Sequence, residues 1–293
     1  MFSTKNQYKI FHIKKKSGKL RQIEAPEDVL KHQQRELLVR MKGQSYISPF
    51  VHSFRSGHNV VTNAWGHIQA KYVLHIDASN FFPSITWNKF IQRVDIKQAG
   101  NFPTREELQI AFCKFDDDGE ERLPQGAPTS PWISNLYLSR FDSYMSRYMC
   151  NIGQRYIWRK GYESYSDYNY SRYADDITIS GPDKDRLWAI YFMMKQHLER
   201  RYSIILNGNK TRMMCPGQRK IVCGIVVNEK AHPKRRWRKN LRAEIHNQVV
   251  AGKPLKASTK GKIAYLNMCK NTEGVGSSKE VFMHRNRGVM DEL

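Results

Sequence analysis

Carboxylates are scarce in this chain. Asp and Glu number 27 against 49 Lys and Arg, which leaves a formal charge of +22 at pH 7. An imbalance of that size favours a polyanionic partner, nucleic acid before all others. An anionic membrane is the rival partner, but no amphipathic amino-terminal segment or lipidation motif supports it. Paired cysteines are also lacking. The five, at positions 113, 150, 215, 223 and 269, are odd in number and include no Cys-x-x-Cys, so neither a disulfide framework nor a structural zinc site is indicated. Long apolar runs are missing too: the stretch near Ile221 to Val227 is far too short to cross a bilayer, and the first residues have no signal-peptide core. A cytoplasmic protein without a membrane partner is expected. What remains is 40% hydrophobic and 12% aromatic over 293 residues, enough for one or two packed cores.

Against that shortage of acids, two adjacent carboxylates stand out. Asp175 and Asp176 lie in Tyr170-Ser-Arg-Tyr-Ala-Asp-Asp-Ile-Thr-Ile-Ser180, between two short runs rich in aromatic and β-branched residues, a pattern for the tip of a β-hairpin. Like charges placed together repel, and a fold tolerates them where cations gather; Mg²⁺, which takes oxygen ligands, suits them. Upstream, Tyr72-Val-Leu-His-Ile-Asp77 runs as an apolar strand into a third carboxylate, and Asp77 with Asp175 has the makings of a two-metal pair. Between them, Leu123-Pro-Gln-Gly126 and Pro128 shape a tight turn ahead of an apolar helical run through Phe141. Small residues there let backbone approach a nucleotide or template closely.

Elsewhere, residues 8 to 24 alternate as a hairpin with a basic tip at Lys14 to Gly18, and Lys31 to Met41 reads as a helix. An acidic loop spans Asp116 to Glu121, and a tyrosine-rich connection spans 151 to 169. The clearest helix runs from His232 to Val249, with Pro233 in its first turn and Trp237, Leu241, Ile245 and Val249 forming an apolar face. Its other faces carry Lys234, Arg235, Arg236, Arg238, Lys239 and Arg242, placed for phosphate contact. From about Asn271 the chain is rich in Gly and Ser, then basic.

In order and spacing, the Asp77 segment, Leu-Pro-Gln-Gly at 123 to 126 and Tyr-Ala-Asp-Asp at 173 to 176 resemble the palm motifs of the reverse transcriptases. Leu206-Asn-Gly-Asn-Lys-Thr211 is similar to that family's next motif. Two segments resemble the bacterial retron branch: Asn63-Ala-Trp-Gly-His67 matches its Asn-Ala-x-x-His signature, and Val222-Cys-Gly224 stands where the branch carries Val-Thr-Gly. Lys19-Leu-Arg-Gln-Ile-Glu-Ala-Pro26 is similar to its fingers segment, so the likeness runs from about Tyr8 to about Leu266.

The resemblance implies an α+β right-hand polymerase fold, with fingers and palm over residues 1–220 and a helical, RNA-binding thumb over 221–293. It implies two Mg²⁺ ions held by Asp77, Asp175 and Asp176, and a sugar-gating ring at Phe82. It sets Gln125 and Gly126 at the templating pair, and Lys210 with Arg21 or Lys19 near the triphosphate. It gives Asn63 and His67 RNA-related or structural roles, beside phosphate contacts from Arg235, Arg238 and Arg242. The implied activity is RNA-directed DNA synthesis from deoxynucleoside triphosphates on a cognate structured noncoding RNA. Priming from an RNA 2′-hydroxyl would give a branched RNA–DNA hybrid (msDNA), in anti-phage defence with a separate effector protein. The alternatives are a diversity-generating or intron-derived reverse transcriptase, or a noncatalytic RNA-binding scaffold.

Overall fold

The computed structural model describes residues 7–14, 18–44, 46–94, 102–114, 119–152, 154–156 and 164–270. The tip of the basic hairpin, the acidic residues 116–118, the middle of the tyrosine-rich connection and the segment from Asn271 lie outside them. In chain order the elements are β1 (Tyr8–Lys14), β2 (Leu20–Pro26), α1 (Asp28–Gln44), α2 (Val60–Trp65), β3 (Tyr72–Asp77), α3 (Trp87–Arg93), α4 (Arg105–Gln109), β4 (Cys113–Lys114), β5 (Glu121–Arg122) and α5 (Ser130–Ile152). They continue with β6 (Gln154–Tyr156), β7 (Ser164–Ser166), β8 (Asn169–Tyr173), β9 (Asp176–Gly181), α6 (Lys184–His197), β10 (Arg212–Met214), β11 (Ile221–Val222), β12 (Ile225–Val226), β13 (His232–Pro233), α7 (Arg235–Val250) and α8 (Ala257–Lys270).

The chain divides into two compact units that interleave along the sequence. One comprises residues 1–48, 77–144 and 190–208, the other 49–76, 145–189 and 209–293. This partition differs from the expected division of fingers and palm from thumb at residue 220.

In the first unit the β1–β2 hairpin precedes α1, whose Arg40 forks onto the Glu107 carboxylate of α4. That short helix starts on a capping box, Thr104 bonding the Glu107 amide while Glu107 bonds back. Buried Phe90 stacks on Trp87, buried Phe112 meets the same ring edge-on, and Tyr137 of α5 donates to the Tyr202 carbonyl. The Leu-Pro-Gln-Gly turn docks on β2 through Glu24, a buried carboxylate that accepts from the Gln125 amide, while the Glu24 amide donates to the Gln125 carbonyl. Gly126 is obligatory there, since it has φ +147° and a Cβ would meet the Glu24 carbonyl oxygen at 2.7 Å.

The second unit is built on the antiparallel sheet β10-β3-β9-β8. β3 and β9 are buried almost continuously; β3 is mainly apolar to match, whereas β9 alternates Ile177 and Ile179 with Thr178 and Ser180 and buries both faces. A smaller sheet, β11-β12-β13, leads into α7, which packs with α8. Two expectations change here. Pro233 pairs with Ile225 on the edge of the small sheet, a position that suits a residue with no amide proton, and α7 begins only at Arg235. The apolar face keeps Trp237, Leu241 and Ile245 but not Val249, which is 64% exposed. Three steps of four residues drift by about 120° around a helix, and Gln248 takes the inner place instead. Its amide bonds the Thr259 hydroxyl and the Lys256 amide of the following segment.

Candidate active site

Tyr173 of β8 faces Asp176 of β9, so Ala174 and Asp175 form a two-residue turn between them. Ala174 has φ +57°, a left-handed conformation that such turns need and that costs a residue with a Cβ about 1–2 kcal/mol. Two bonds hold it. Its amide donates to Ser53 Oγ at 2.9 Å, and its carbonyl accepts from an Arg172 guanidinium nitrogen at 3.0 Å. Ser53 and Arg172 are fully buried. The segment carrying Ser53 runs along β8 as a strap: Val51 bridges Arg172 in parallel, the His52 amide donates to the Arg172 carbonyl, and the Arg172 amide donates to the Phe50 carbonyl, each at 2.9 Å. Sequence reasoning missed both residues: Ser53 bonds a partner 121 positions away, and Arg172 reaches its partner two positions on only because its side chain is buried.

Asp175 and Asp176 are half exposed at this tip, and His75 Nε2 of β3 lies 3.7 Å from an Asp176 oxygen. Asp77 closes the same strand and is 7% exposed. Its carbonyl accepts from the Asn207 amide at 2.7 Å, and the next residues continue alongside 205–206, so main chain fixes where the strand delivers its carboxylate. Among the described residues no three His, Cys, Asp or Glu side chains are gathered as a metal-binding group, and the three aspartates are not brought together in that way. The chemistry of the tip still suits a hard cation. Burial first, then the negative charge of Asp176 and Asp175, pushes the Cys223 thiol up to about 12. Two adjacent, half-exposed carboxylates at one turn offer the oxygen ligands that such a cation takes.

Of the RNA-related or structural roles expected of Asn63 and His67, their surroundings favour the structural one. Both are enclosed, Asn63 at 1% and His67 at 0% exposure. Asn63 Nδ2 donates to Cys223 Sγ at 3.3 Å, and Cys223 and Gly224 turn the β11–β12 hairpin at φ +45° and +87°. The His67 ring bridges Ser180 Oγ at 2.7 Å and Ser171 Oγ at 2.8 Å, one nitrogen donating and the other accepting. Ser171 lies opposite Thr178, and Ser180 follows on the same face of β9, so the ring staples the hairpin that carries the tip. These side chains therefore have a structural role. His52, also buried, holds the Thr62 hydroxyl at 3.0 Å.

Of the remaining candidates, Phe82 is half exposed whereas Phe81 packs into the core, Gln125 is half exposed, and Arg21 and Lys210 are exposed. Arg235 and Arg242 are exposed on α7, but Arg238 is half buried, with its Nε enclosed and unbonded.

A family model described as reverse transcriptase (RNA-dependent DNA polymerase) matches residues 13–266. The chain belongs to the reverse transcriptase family. The right-hand polymerase fold of that family is the α+β architecture seen here, and the resemblance to the retron branch holds. The chain is 29% identical to the retron Mx65 reverse transcriptase of Myxococcus xanthus over 89% of its own length and 61% of that protein. To the retron Ec86 reverse transcriptase of Escherichia coli it is 28% identical, over 82% of its own length and 70% of that protein. It thus spans about three fifths of the Myxococcus relative. In fold it is similar to the Candida albicans telomerase, solved with a fragment of telomeric RNA, at TM-score 0.53 and 12% identity over 83% of this chain and 50% of that one.

Two buried imidazoles make the chain's stability depend on acid. Burial holds His52 and His67 at about 3, against an ordinary value of 6.5. Both rings take protons more readily in the unfolded chain, so their contribution is complete above pH 6.5 and is lost as pH falls toward 3. Urea titrations should show stability falling by about 2.7 kcal/mol per pH unit from this pair between pH 6 and 4. His67→Gln, which cannot titrate, should halve that slope; an unchanged slope would mean the ring is not buried neutral.

Proposed function

We propose that this chain is the polymerase of a retron, copying a cognate structured noncoding RNA into DNA in the cytoplasm. On this reading, synthesis starts from a 2′-hydroxyl of the RNA and yields a branched RNA–DNA hybrid that acts in anti-phage defence with a separate effector protein. One observation carries the polymerase part: two adjacent carboxylates sit at the strained turn of a hairpin, on the same sheet as the strand that ends in Asp77. The retron part is supported by the Asn-Ala-x-x-His segment and by similarity to retron reverse transcriptases of two bacteria.

Asp77, Asp175 and Asp176 are the residues to hold two Mg²⁺ ions. When bound, such ions activate the attacking hydroxyl and neutralise charge on the departing pyrophosphate. The chain's own contribution is placement. Ser53 and Arg172 fix the Ala174 turn, and through it the direction of the next two carboxylates. Phe82 is the candidate to lie against the sugar, where its ring leaves no room for a 2′-hydroxyl. Gln125 and Gly126, on a turn fixed by Glu24, are the candidates to meet the templating pair, with Arg21 and Lys210 offsetting triphosphate charge.

Asp175→Asn should lower Mg²⁺-dependent primer extension at least about a hundredfold, the several kcal/mol a metal ligand contributes, with melting temperature unchanged. Extension at the wild-type rate would end the metal-ligand assignment. Phe82→Val should cut discrimination between deoxy- and ribonucleotides by about tenfold or more, measured as the ratio of kcat/KM values. If that ratio holds, the ring is not a gate. Ser53→Ala should lower kcat about tenfold with little change in KM for the nucleotide, the scale of one lost bond to a strained turn, and Ser53→Cys should recover part of it. Loss of stability with kcat intact would make Ser53 merely structural.

A further inference from the structure

The strap that holds the Ala174 turn carries a second backbone anomaly. Phe54, the residue after Ser53, has φ +58°, in the left-handed region that a bulky side chain enters only under constraint. Gly57, in the same turn of chain, stands at φ +73° without that penalty. Of the non-glycine residues with positive φ among those described, Phe54 alone carries an aromatic ring.

Burial does not account for it. Val51, His52 and Ser53 are enclosed at 0%, 4% and 0% exposure, whereas Phe54 is 42% exposed. Water meets an apolar ring on a strained backbone, and neither feature stabilises the fold.

Bonding on both sides keeps the conformation in place. Upstream, Val51 and His52 are tied to Arg172, and Ser53 accepts from the Ala174 amide. Downstream, an Arg55 guanidinium nitrogen donates to the Val51 carbonyl at 3.1 Å, the His58 amide donates to the Arg55 carbonyl at 3.3 Å, and the Asn59 side chain caps α2 at the Val61 and Thr62 amides. Strain persists where the surroundings over-determine it, and residues held in this way cluster at ligand sites. Phe54 is rooted beside one: consecutive Cα atoms lie about 3.8 Å apart, so the ring starts one residue from the bond that fixes the turn before Asp175 and Asp176.

That anchorage selects the ligand. Strap and tip belong to the second unit, whereas Phe82, Gln125 and Gly126, the candidates for the incoming sugar and the templating pair, belong to the first. A ring fastened to the tip keeps station with its carboxylates, and the group those carboxylates have to meet is the attacking hydroxyl at the end of the primer strand. An aromatic face accepts any terminal base, as copying of arbitrary sequence requires. We propose that Phe54 stacks on the terminal base of the primer strand and so holds the attacking hydroxyl beside Asp175 and Asp176. The proposal rests on the polymerase reading and adds to it a contact for the primer.

The test is equilibrium binding of a template–primer duplex by the full chain, without nucleotide, with the terminal primer base present or replaced by an abasic residue. The wild type should lose about tenfold in affinity when that base is removed, the scale of one base stacked on an aromatic ring. Phe54→Leu, which keeps apolar bulk without an aromatic face, should bind the intact primer about tenfold more weakly, with less than about twofold further loss for the abasic end. Phe54→Tyr should recover most of the affinity that Phe54→Leu loses. An equal loss on base removal in wild type and Phe54→Leu would mean that ring and base act independently, and would overturn the contact. Coupling of Phe54 to an abasic residue at the templating position, in place of the primer end, would overturn it as well. Phe54→Gly relieves the backbone, so it should melt above Phe54→Leu while binding as weakly. If affinity instead follows melting temperature across the variants, the ring is a prop of the strap and the proposal fails. Adding Mg²⁺ and nucleotides separates the two readings. A wild type that shows the coupling but never extends ends the polymerase reading and leaves the stacking contact; one that extends without the coupling ends the contact alone; one that does not bind the duplex ends both.

Discussion

The left-handed turn at Ala174 is the constraint around which the second unit is arranged. A residue with a Cβ does not stay at φ +57° for its own sake; Ser53 and Arg172 hold it there from either side of the peptide. Each holder needs support. Ser53 lies on a strap bonded to β8, and the Arg172 guanidinium is enclosed, which is tolerable only for a charge that is hydrogen-bonded. Beneath them His67 joins both strands of the hairpin through two serines. The outcome is a pair of carboxylates whose direction is set by buried contacts on three separate segments.

That arrangement explains what was legible in the sequence and what was not. The hairpin could be read because turn and flanking strands are contiguous, and the strand ending in Asp77 because it is apolar along its length. Asn63 and His67 were noticed for their spacing, but spacing carries no information about exposure, and the same polar residues that suit an RNA contact suit a buried staple. Ser53 carried no signal, since a serine among polar neighbours reads as loop. The α7 face was misjudged at its end because a repeat of four slips around a helix, and the first turn because Pro233 suits a sheet edge as well as a helix start.

Charge shows a similar division of labour. The sequence's surplus of cations favours a polyanionic partner without saying where it would rest. Position separates the cations that charge alone cannot: Arg238 is half buried, whereas Arg235 and Arg242 are exposed on α7. Net charge governs attraction at a distance, and local bonding governs where the ligand rests.

The interleaving of the two units bears on how the chain is made. β3 is synthesised about a hundred residues before β9 and longer still before β10, yet it lies between them in the finished sheet. Until residue 181 has left the ribosome both edges of this strand are unfilled, and one stays open until residue 214, so it must be kept from other chains. Loop-closure entropy of that size slows folding, and unpaired strands of this kind are where aggregation begins. The nascent chain should therefore depend on chaperones more than a protein of similar length whose neighbouring strands follow one another, and production at lower temperature should raise its soluble yield.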